Sequence, residues 1–482
     1  MDRNQRIASR NNQTVARLNE TARAVDKAMV EAGIPQYDKE MFLSWTISQL
    51  WNTFKEERMN QRLIMENEIK NLGIRFPNGT VKKEYSTYFE LPMDKISNVE
   101  LVGTEELGLM LVACEHGKFA LCGKPKNAGD FTLTLKYNTV EGEEPSELKI
   151  PVAFNPNPRD LWKNIPTDEN IPYYKKDSDK EYIKVEAGED KEPKKDIVAA
   201  SQRGRSHAQE GKARDDHFTL FHCDDSDWYV VAVADGAGSA KYSRKGSEVA
   251  CNTVVNHCKN LLADNPGFES AIRDYEADRE DAMKRTALTK HVIDIIYNGA
   301  LKAHEAVKKV AEANDEAKLK DFATTLMFAV CKKYDFGWFI ASFWVGDGAM
   351  CLFDEKAKTA KLLGTPDEGE FSGQTRFLTM PEIFRDKDVV AKRLRMAIVP
   401  DFTALFLMSD GVSDPMFETD KNLNDFAKWE EFWNNLKNGF PDDEIGGVEL
   451  TDDNEAAQDQ LLGWLDFWCP GNHDDRTIAI LY

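Results

Sequence analysis

The stretch that decides the fold is WYVVAVADGAGSAKYSRKGSEVA, residues 228–250. The apolar run from Tyr229 to Ala234 does not alternate with polar residues, which predicts a strand buried on both faces. The run ends on Asp235, and small residues follow before a segment with helical character. A carboxylate at the end of a buried strand, followed by glycines, predicts a place where a ligand approaches the main chain closely.

Length and composition exclude several classes of protein. A chain of 482 residues is too long for one ordinary core, so two or three domains are expected. The net charge of −21 argues against a nucleic-acid-binding protein, which would present a basic face. The sequence has neither the apolar core of a signal peptide nor a run of about 18 apolar residues that could span a bilayer. We therefore expect a cytoplasmic protein without a membrane segment.

The eight cysteines point to the same compartment. They never form a CxxC pair, and most of them stand in apolar runs. This favours reduced thiols in the core, with disulfides or a zinc site as the alternatives.

The front of the chain, residues 1–75, is predicted to be a helical segment. Its apolar residues recur at helical spacing and form one face: Leu43, Ile47, Leu50, Trp51 and Phe54. Two interpretations stay open, a helix that docks a partner or dimerises, and a helix that packs on its own chain.

The next two parts of the chain differ from the first in composition and in predicted secondary structure. Residues 76–156 contain short strands separated by turns, and KFALCGKPKNAGDFTLTLKY (118–137) resembles the small immunoglobulin-like sandwiches of bacterial proteins. We expect a small all-β sandwich that serves as a spacer or binding module. Residues 157–197 are rich in proline and mixed charge, which predicts a linker.

The last part, residues 198–482, repeats the pattern of the opening stretch. Carboxylates stand at the ends of several predicted strands: Asp215 and Asp216, Asp235, Asp347, Asp410, and Asp474 and Asp475. Any one Asp-Gly pair would usually be only a turn. Carboxylates crowded at one edge of a sheet repel each other unless a cation lies between them, and oxygen ligands favour magnesium or manganese over zinc. Between two of these sites, apolar residues at helical spacing over 283–313 predict a long core helix.

The order of these motifs resembles one family. D-D-H-F, A-D-G-x-G-S-A, T-T, G-D, S-D-G and D-D-x-T follow one another as in the protein phosphatase 2C family, the metal-dependent serine/threonine phosphatases. GRSHAQEGKARDDHF (204–218) is similar to the opening of the bacterial members. The resemblance implies an α+β fold, a four-layer α/β/β/α sandwich over 198–482.

The resemblance also implies a set of site residues. The family's metal-binding and catalytic aspartates fall on Asp216, Asp235, Asp410 and Asp474, and a main-chain carbonyl ligand falls on Gly236. They would hold two divalent cations, Mg²⁺ or Mn²⁺. Asp321 matches the aspartate that holds a third cation in some members, and Asp347 matches a supporting position.

The implied reaction is hydrolysis of phosphoserine and phosphothreonine in a phosphoprotein by a metal-activated water. The family's phosphate-binding arginine would stand at position 211, which is glycine here, so we expect Arg214, or else Lys212 or Arg205, in that role. Alanine occupies position 237, where animal members have a histidine proposed as general acid.

Alternatives to an active phosphatase remain. One is a catalytically weak 2C-like pseudo-phosphatase that acts as a binding or signalling module, and another is a phosphohydrolase of a different fold. As partners we expect a phosphoprotein substrate, a cognate serine/threonine kinase system and a protein partner for the N-terminal modules, but neither nucleic acid nor membrane.

Overall fold

The computed structural model describes residue 17 and residues 19–139, 144–187, 194–364, 366–367, 375–385 and 387–482. The chain divides into two compact units, Met1–Asn157 and Pro158–Tyr482. The first residues of the predicted helical segment, 1–16, and residues 188–193 of the predicted linker lie outside the described residues.

Within the described residues, the first unit opens with α1 (19–31) and α2 (Gln36–Asn71). Helix α2 ends before Gly73, which adopts a positive φ of 62° as a stop residue does. Near this end Ile69 is fully buried against the strands that follow. The aromatic side chains earlier in α2 are exposed instead, with Trp45 at 60% and Trp51 at 55% of their full accessible surface.

The rest of the first unit is all β. Strands β1, β7, β6 and β3 form one sheet, and β2, β5 and β4 form the other. The side chains between the sheets share one core, to which β6 contributes Leu133, Leu135 and Tyr137 in alternation, as its sequence predicts. The strands are β1 (Gly79–Thr80), β2 (Tyr85–Glu90), β3 (Ser97–Val102), β4 (Leu109–Ala113), β5 (Lys118–Gly123), β6 (Gly129–Asn138) and β7 (Ser146–Asn155).

The second unit contains two antiparallel sheets. One has the order β10-β11-β12-β13-β16 and the other β15-β14-β17-β18-β9-β8. The strands are β8 (Ser178–Ile183), β9 (Ile197–Gln202), β10 (His217–Cys223), β11 (Trp228–Ala234), β12 (Leu326–Tyr334), β13 (Gly337–Val345), β14 (Ala349–Asp354), β15 (Thr359–Leu362), β16 (Leu394–Val399), β17 (Ala404–Met408) and β18 (Arg476–Leu481).

Helices are interspersed among these strands. They are α3 (Arg205–Glu210), α4 (Ser243–Leu262), α5 (Pro266–Ala277), α6 (Ala282–Val292), α7 (Asn298–Glu312), α8 (Lys387–Arg393), α9 (Asp410–Phe417), α10 (Phe426–Asn438) and α11 (Ala457–Trp464). A π-helical turn, Ile293–Tyr297, joins α6 to α7, so the long helix predicted over 283–313 is present with one irregular turn.

Strand β11 shows how the layers are ordered. Val231 and Val233 belong to a core shared with the second sheet, whereas Val230 and Ala232 pack with residues of α4 and α7. On the second sheet, Phe406 of β17 contacts aromatic rings of α10. Helices thus cover the outer faces of two facing sheets, and the predicted α+β class is confirmed.

Residues 158–183 differ from the linker that the sequence predicts over 157–197. They belong to the second unit, and β8 pairs with β9 from Ser178↔Gln202 to Ile183↔Ile197. The strand carries charged side chains at an exposed edge, a pattern that a linker shares. Main-chain pairing, which needs no particular side chains, ties it to the sheet.

Among the described residues, no helix combines the length and the apolar character needed to cross a bilayer.

Candidate metal centre

Four predicted aspartates meet because of strand pairing. Asp216 precedes β10 and Asp235 follows β11, and the register His217↔Ala234 sets these two residues side by side. In the second sheet, Asp410 begins α9 after β17, and Asp474 comes shortly before β18, the antiparallel partner of β17. All four therefore stand at the same end of the two facing sheets.

The carboxylates come close to one another. Carboxylate oxygens of Asp235, Asp347 and Asp410 lie within 4.8 Å of one another. Asp216 is 1% exposed, and within the described chain neither of its carboxylate oxygens has a hydrogen-bond partner. The same is true of Oδ1 of Asp410. Buried carboxylate oxygens without a donor are costly unless a cation fills the space between them.

The pKa values of these carboxyl groups show that their charged forms are disfavoured in the cluster. Burial raises the pKa of Asp216 to about 7, and the charge of Asp475 adds to the shift. Burial also raises the pKa of Asp235 well above its usual range, followed by repulsion from Asp216 and then Asp410. For Asp410, burial and then the charge of Asp347 raise the pKa in the same way. The cluster is electrostatically unfavourable without positive charge, as a metal centre is before it is loaded.

Asp347 lies in this cluster rather than only behind it. It occupies the turn between β13 and β14, and its Oδ2 accepts a hydrogen bond from the hydroxyl of Thr375. Burial raises the pKa of its carboxyl. The sequence predicts a supporting role here, and the structure brings the side chain level with Asp235 and Asp410.

Asp474 and Asp475 play different parts. Asp475 is saturated: its oxygens accept hydrogen bonds from the main-chain N–H of Gly204 at 2.6 Å and of Asp215 at 2.5 Å, and it lies 3.0 Å from Nδ1 of His207. Burial alone would raise the pKa of Asp475, but the hydrogen bond and charge of His207, together with the N–H donors of Gly204 and Asp215, outweigh burial and lower the pKa. Asp474 has its pKa raised, first by burial and then by Asp475, like the other members of the cluster.

Neither nearby histidine is placed as a free acid. Burial lowers the pKa of His207, but the hydrogen bond to Asp475 and the charges of Asp475, Asp215 and Asp474 together outweigh burial and raise the pKa to about 9. Its proton therefore belongs to an ion pair that fixes the loop. Burial, followed by the charge of Lys175, lowers the pKa of His217 to about 2, so this ring is neutral at ordinary pH.

Close packing explains two glycines of the motifs. A Cβ on Gly236 would lie 2.7 Å from the carbonyl oxygen of Asp215, and one on Gly411 would lie 1.9 Å from that of Asp475. Any larger residue at either position would push apart two neighbouring loops of one sheet. The glycines thus keep the carboxylates together.

Other side chains hold the ligand loops. The hydroxyl of Thr324 donates to the carbonyl of Asp235 at 2.9 Å, and the Asp235 N–H donates to Oγ1 of Thr325 at 2.8 Å. Beneath Asp216, Nζ of Lys175 donates to the Asp216 carbonyl oxygen at 2.9 Å. Burial, and then Arg214, lower the pKa of Lys175 to about 7. Sequence reasoning missed Lys175 because it stands in the predicted linker and belongs to no motif.

The predicted phosphate-binding residues are dispersed. Arg214 is 1% exposed, and its Nε donates to the carbonyl of Lys176 at 3.3 Å. Lys212 is exposed and pairs with Glu210 at 2.6 Å. Arg205 pairs with Asp466 at 2.6 Å and lines a cavity that Asp474 also lines.

The predicted third-metal residue lies apart from the cluster. The carboxylate of Asp321 accepts the Lys318 N–H at 2.8 Å and thereby caps the short 3-10 helix Leu319–Phe322. Among the described residues, the groups of acidic side chains close enough to share an ion do not include it.

Comparison with known proteins agrees with the motifs. The family model described as Protein phosphatase 2C matches residues 203–465. A search of curated proteins gives no match. Among solved structures, the chain is similar to a bacterial serine phosphatase at 14% identity and a TM-score of 0.34, over 59% of this chain and 96% of that chain.

Two further structures have similar figures. One is the catalytic domain of the serine threonine protein phosphatase PstP in complex with 2 manganese ions, at 16% identity and a TM-score of 0.34, over 59% of this chain and 96% of that chain. The other is the serine/threonine phosphatase Stp1 from Staphylococcus aureus, at 14% identity and a TM-score of 0.32, over 59% of this chain and 93% of that chain.

Proposed function

Because this chain belongs to the protein phosphatase 2C family, we propose that it is a metal-dependent phosphatase that hydrolyses phosphoserine and phosphothreonine in proteins. One observation carries the proposal. The buried carboxylate oxygens of Asp216 have no partner in the described chain, and Asp216 stands next to Asp235 in a cluster whose pKa values are raised together. Such a cluster lowers the stability of the fold, so a function that uses it is the simplest reason for its presence.

The donor set fits hard divalent cations. We propose that Asp216, Asp235, Asp410 and Asp474, with the carbonyl of Gly236, hold two Mg²⁺ or Mn²⁺ ions. All of these donors are oxygens, which such ions prefer, while His207 is engaged by Asp475. When bound, the cations supply the acidity that makes water a nucleophile near neutral pH and the positive charge that offsets the phosphoryl oxygens.

The chain's own groups would keep the donors in place. Thr324 and Thr325 fix the main chain at Asp235, and Lys175 fixes it at Asp216. Asp475 ties the loop before β10 to the loop before β18, so donors from both sheets keep their spacing. This rigidity is what a reaction without a covalent nucleophile needs, since positioning and charge supply most of its rate.

Arg214 remains our proposed orienting charge for the phosphate. Its charge interacts first with Asp179, whose Oδ2 lies 3.7 Å from Nη2, and then with Asp475 and Asp216. Within the described chain its Nη1 has no hydrogen-bond partner, and the N–H groups of this nitrogen are donors of the kind that phosphoryl oxygens accept.

Two partners follow from this function. The substrates would be phosphoproteins made by an opposing serine/threonine kinase. The exposed apolar side chains of α2, among them Trp45, Leu50 and Trp51, support a protein partner for the N-terminal unit.

The test is an assay of the purified full chain on a phosphothreonine peptide, with chelator and after Mn²⁺ is restored. We expect phosphate release only with the metal, and no transfer of phosphate onto the protein. Release that persists in chelator, or a stable phosphorylated enzyme, would contradict the proposal. Asp335→Asn, at an exposed position paired with Arg273, serves as a variant that should behave as wild type.

A further inference from the structure

A cavity of about 510 Å³ lies beside the acidic cluster, and the function proposed above does not use it. Its walls come from residues 159–164, from the start of α3 and from the loop 465–476. Of the clustered carboxylates only Asp474 lines it. A group seated in the cavity would therefore lie next to the cluster and not within it.

Two arginines of this cavity pair with one carboxylate, and a third lies against the same loop. Arg205 and Arg159 both pair with Asp466, one on each carboxylate oxygen. Arg476 lies against the loop, where its Nη1 donates to the carbonyls of Leu465 at 2.7 Å and Phe467 at 2.5 Å. The cavity is lined by five basic side chains, Arg159, Lys163, Arg203, Arg205 and Arg476, and by four carboxylates, Asp160, Asp177, Asp466 and Asp474.

The side chain of Arg476 gives the strongest indication that the cavity binds an anionic group. It is 3% exposed, and neither its Nε nor its Nη2 has a hydrogen-bond partner in the described part of the chain. These two nitrogens form one edge of the guanidinium, the edge that binds two oxygens of a phosphoryl or carboxylate group. Buried donors without an acceptor are costly, which points to an acceptor that comes from outside the chain.

The mouth of the cavity suits a peptide. Lys163 is exposed there, and the ring of Trp162 contacts that of His473 in a tilted arrangement, with ring centroids 4.4 Å apart. An aromatic wall beside basic groups can contact the chain that carries an anionic side chain.

We propose that this cavity, the basic pocket, binds a second phosphoryl group of the substrate while the first lies at the acidic cluster. The unpartnered Nε and Nη2 of Arg476 match two oxygens of a phosphoryl group, the group that substrates of the proposed phosphatase carry. Since Asp474 belongs to both places, the two phosphoryl groups would lie on nearby residues of one peptide. The proposal rests on the phosphatase function, and it makes multiply phosphorylated segments the preferred substrates.

The experiment compares two peptides. Both carry the same phosphothreonine, and one also carries a non-hydrolysable phosphonate side chain two residues away. The enzyme variants are Arg159→Gln with Lys163→Gln, at the pocket mouth, and Lys356→Gln with Lys358→Gln, a charge-matched control on the exposed turn after β14.

We expect wild type and the control to hydrolyse the phosphonate peptide with a kcat/KM about tenfold higher, mainly through KM, because a charged contact of this kind is worth about 1.4 kcal/mol or more. The pocket variant should lose most of that preference and keep its rate on the simpler peptide. Equal rates on both peptides in wild type, or a preference that survives in the pocket variant, would overturn the proposal.

Two further arms separate failure of the pocket from failure of the phosphatase function. A peptide with alanine in place of the phosphothreonine, but with the phosphonate, should bind wild type in calorimetry and bind the pocket variant at least tenfold more weakly. If the protein bound this peptide in a pocket-dependent way but hydrolysed neither phosphothreonine peptide, the phosphatase function would be overturned and the binding role of the pocket would hold. Inorganic phosphate that binds in a pocket-dependent way, without any preference between peptides, would assign the pocket to free phosphate and contradict a role in substrate choice.

Discussion

Two acidic clusters in the second unit have similar composition and opposite character. Asp235, Asp347 and Asp410 form one, and Asp196, Asp452 and Asp453 form the other; in each, three carboxylate oxygens lie within 4.8 Å of one another. Proximity alone therefore does not distinguish a metal centre from a structural group. The difference lies in what surrounds the oxygens.

The second cluster is satisfied by the chain. Asp196 accepts hydrogen bonds from the N–H of Val185 at 2.8 Å and of Asp453 at 3.0 Å, and Asp453 lies 3.3 Å from Nζ of Lys184. Asp452 and Asp453 are exposed, so water solvates their charge. The first cluster has buried oxygens without donors at neighbouring Asp216 and at Asp410. The candidate metal centre is therefore distinguished by buried carboxylate oxygens that lack a donor in the described chain, and not by the number of its carboxylates.

The largest expected effect comes from breaking the first cluster. Asp235→Asn should lower kcat on a phosphothreonine peptide by at least about 1,000-fold, about 4 kcal/mol, because Asp235 is proposed to hold both cations. Asp453→Asn changes the same residue type in the other cluster and should keep the wild-type rate. Similar rates for the two variants would remove the distinction between the clusters.

Metal binding should stabilise the folded protein through the cluster of Asp235, Asp347 and Asp410, and not through the cluster of Asp196, Asp452 and Asp453. Free Mn²⁺ at 100 times its Kd should raise the free energy of unfolding of the metal-free protein by about 2.7 kcal/mol. Denaturant unfolding with and without Mn²⁺ measures this gain, which Asp410→Asn should reduce and Asp452→Asn should keep. If Asp452→Asn abolished the gain in unfolding free energy, the ion would bind at the cluster of Asp196, Asp452 and Asp453, which would contradict the prediction.

The pH dependence of the metal-free protein gives a smaller effect. Burial raises the pKa of Asp216 to about 7 in the folded state, so between about pH 4 and pH 7 the folded protein binds more protons than the unfolded chain. The contribution of protonated Asp216 to the free energy of unfolding is complete below about pH 4. It is lost as the pH rises through about 7, at up to about 1.4 kcal/mol per pH unit for this one group.

Asp216→Asn should therefore flatten the fall of unfolding free energy with pH in chelator. Wild type saturated with Mn²⁺ is the comparison, since the ions favour the charged carboxylates and should flatten the curve as well. A metal-free wild-type protein whose stability rises from pH 5 to pH 7 would contradict the raised pKa of this group.

The smallest effect should come from the residue beneath the cluster. Lys175→Gln removes the Nζ donor to the Asp216 carbonyl, and we expect kcat to fall about tenfold, as for the loss of one hydrogen bond of about 1.4 kcal/mol. Lys356→Gln, on an exposed turn, is the control. An unchanged rate for Lys175→Gln would show that the loop before β10 does not need this support.

The sequence could predict the members of the cluster for a clear reason. Each of Asp216, Asp235 and Asp410 adjoins an apolar run, and antiparallel pairing brings alternate strand ends to one edge. The same argument could not rank Asp474 against Asp475, because the two differ in contacts to Gly204, His207 and Asp215, which are distant in sequence.

The features that sequence reasoning missed depend on contacts between distant parts of the chain. Strand β8 carries lysine and glutamate on an edge, so its composition is that of a linker, and only its pairing with β9 makes it part of the sheet. Lys175 reaches Asp216 because that strand positions the segment before it. The basic pocket depends on the same segment, since Arg159 and Arg476 are far apart in sequence.

The most direct test of the central claim is a count of bound ions. Metal-free, full-length protein would be titrated with Mn²⁺, and free Mn²⁺ followed by its electron paramagnetic resonance signal. Our account predicts two tightly bound ions per chain in wild type and in Asp453→Asn, and loss of both in Asp235→Asn. Wild type that binds no Mn²⁺, or Asp235→Asn that binds as much as wild type, would contradict a metal centre at the buried cluster.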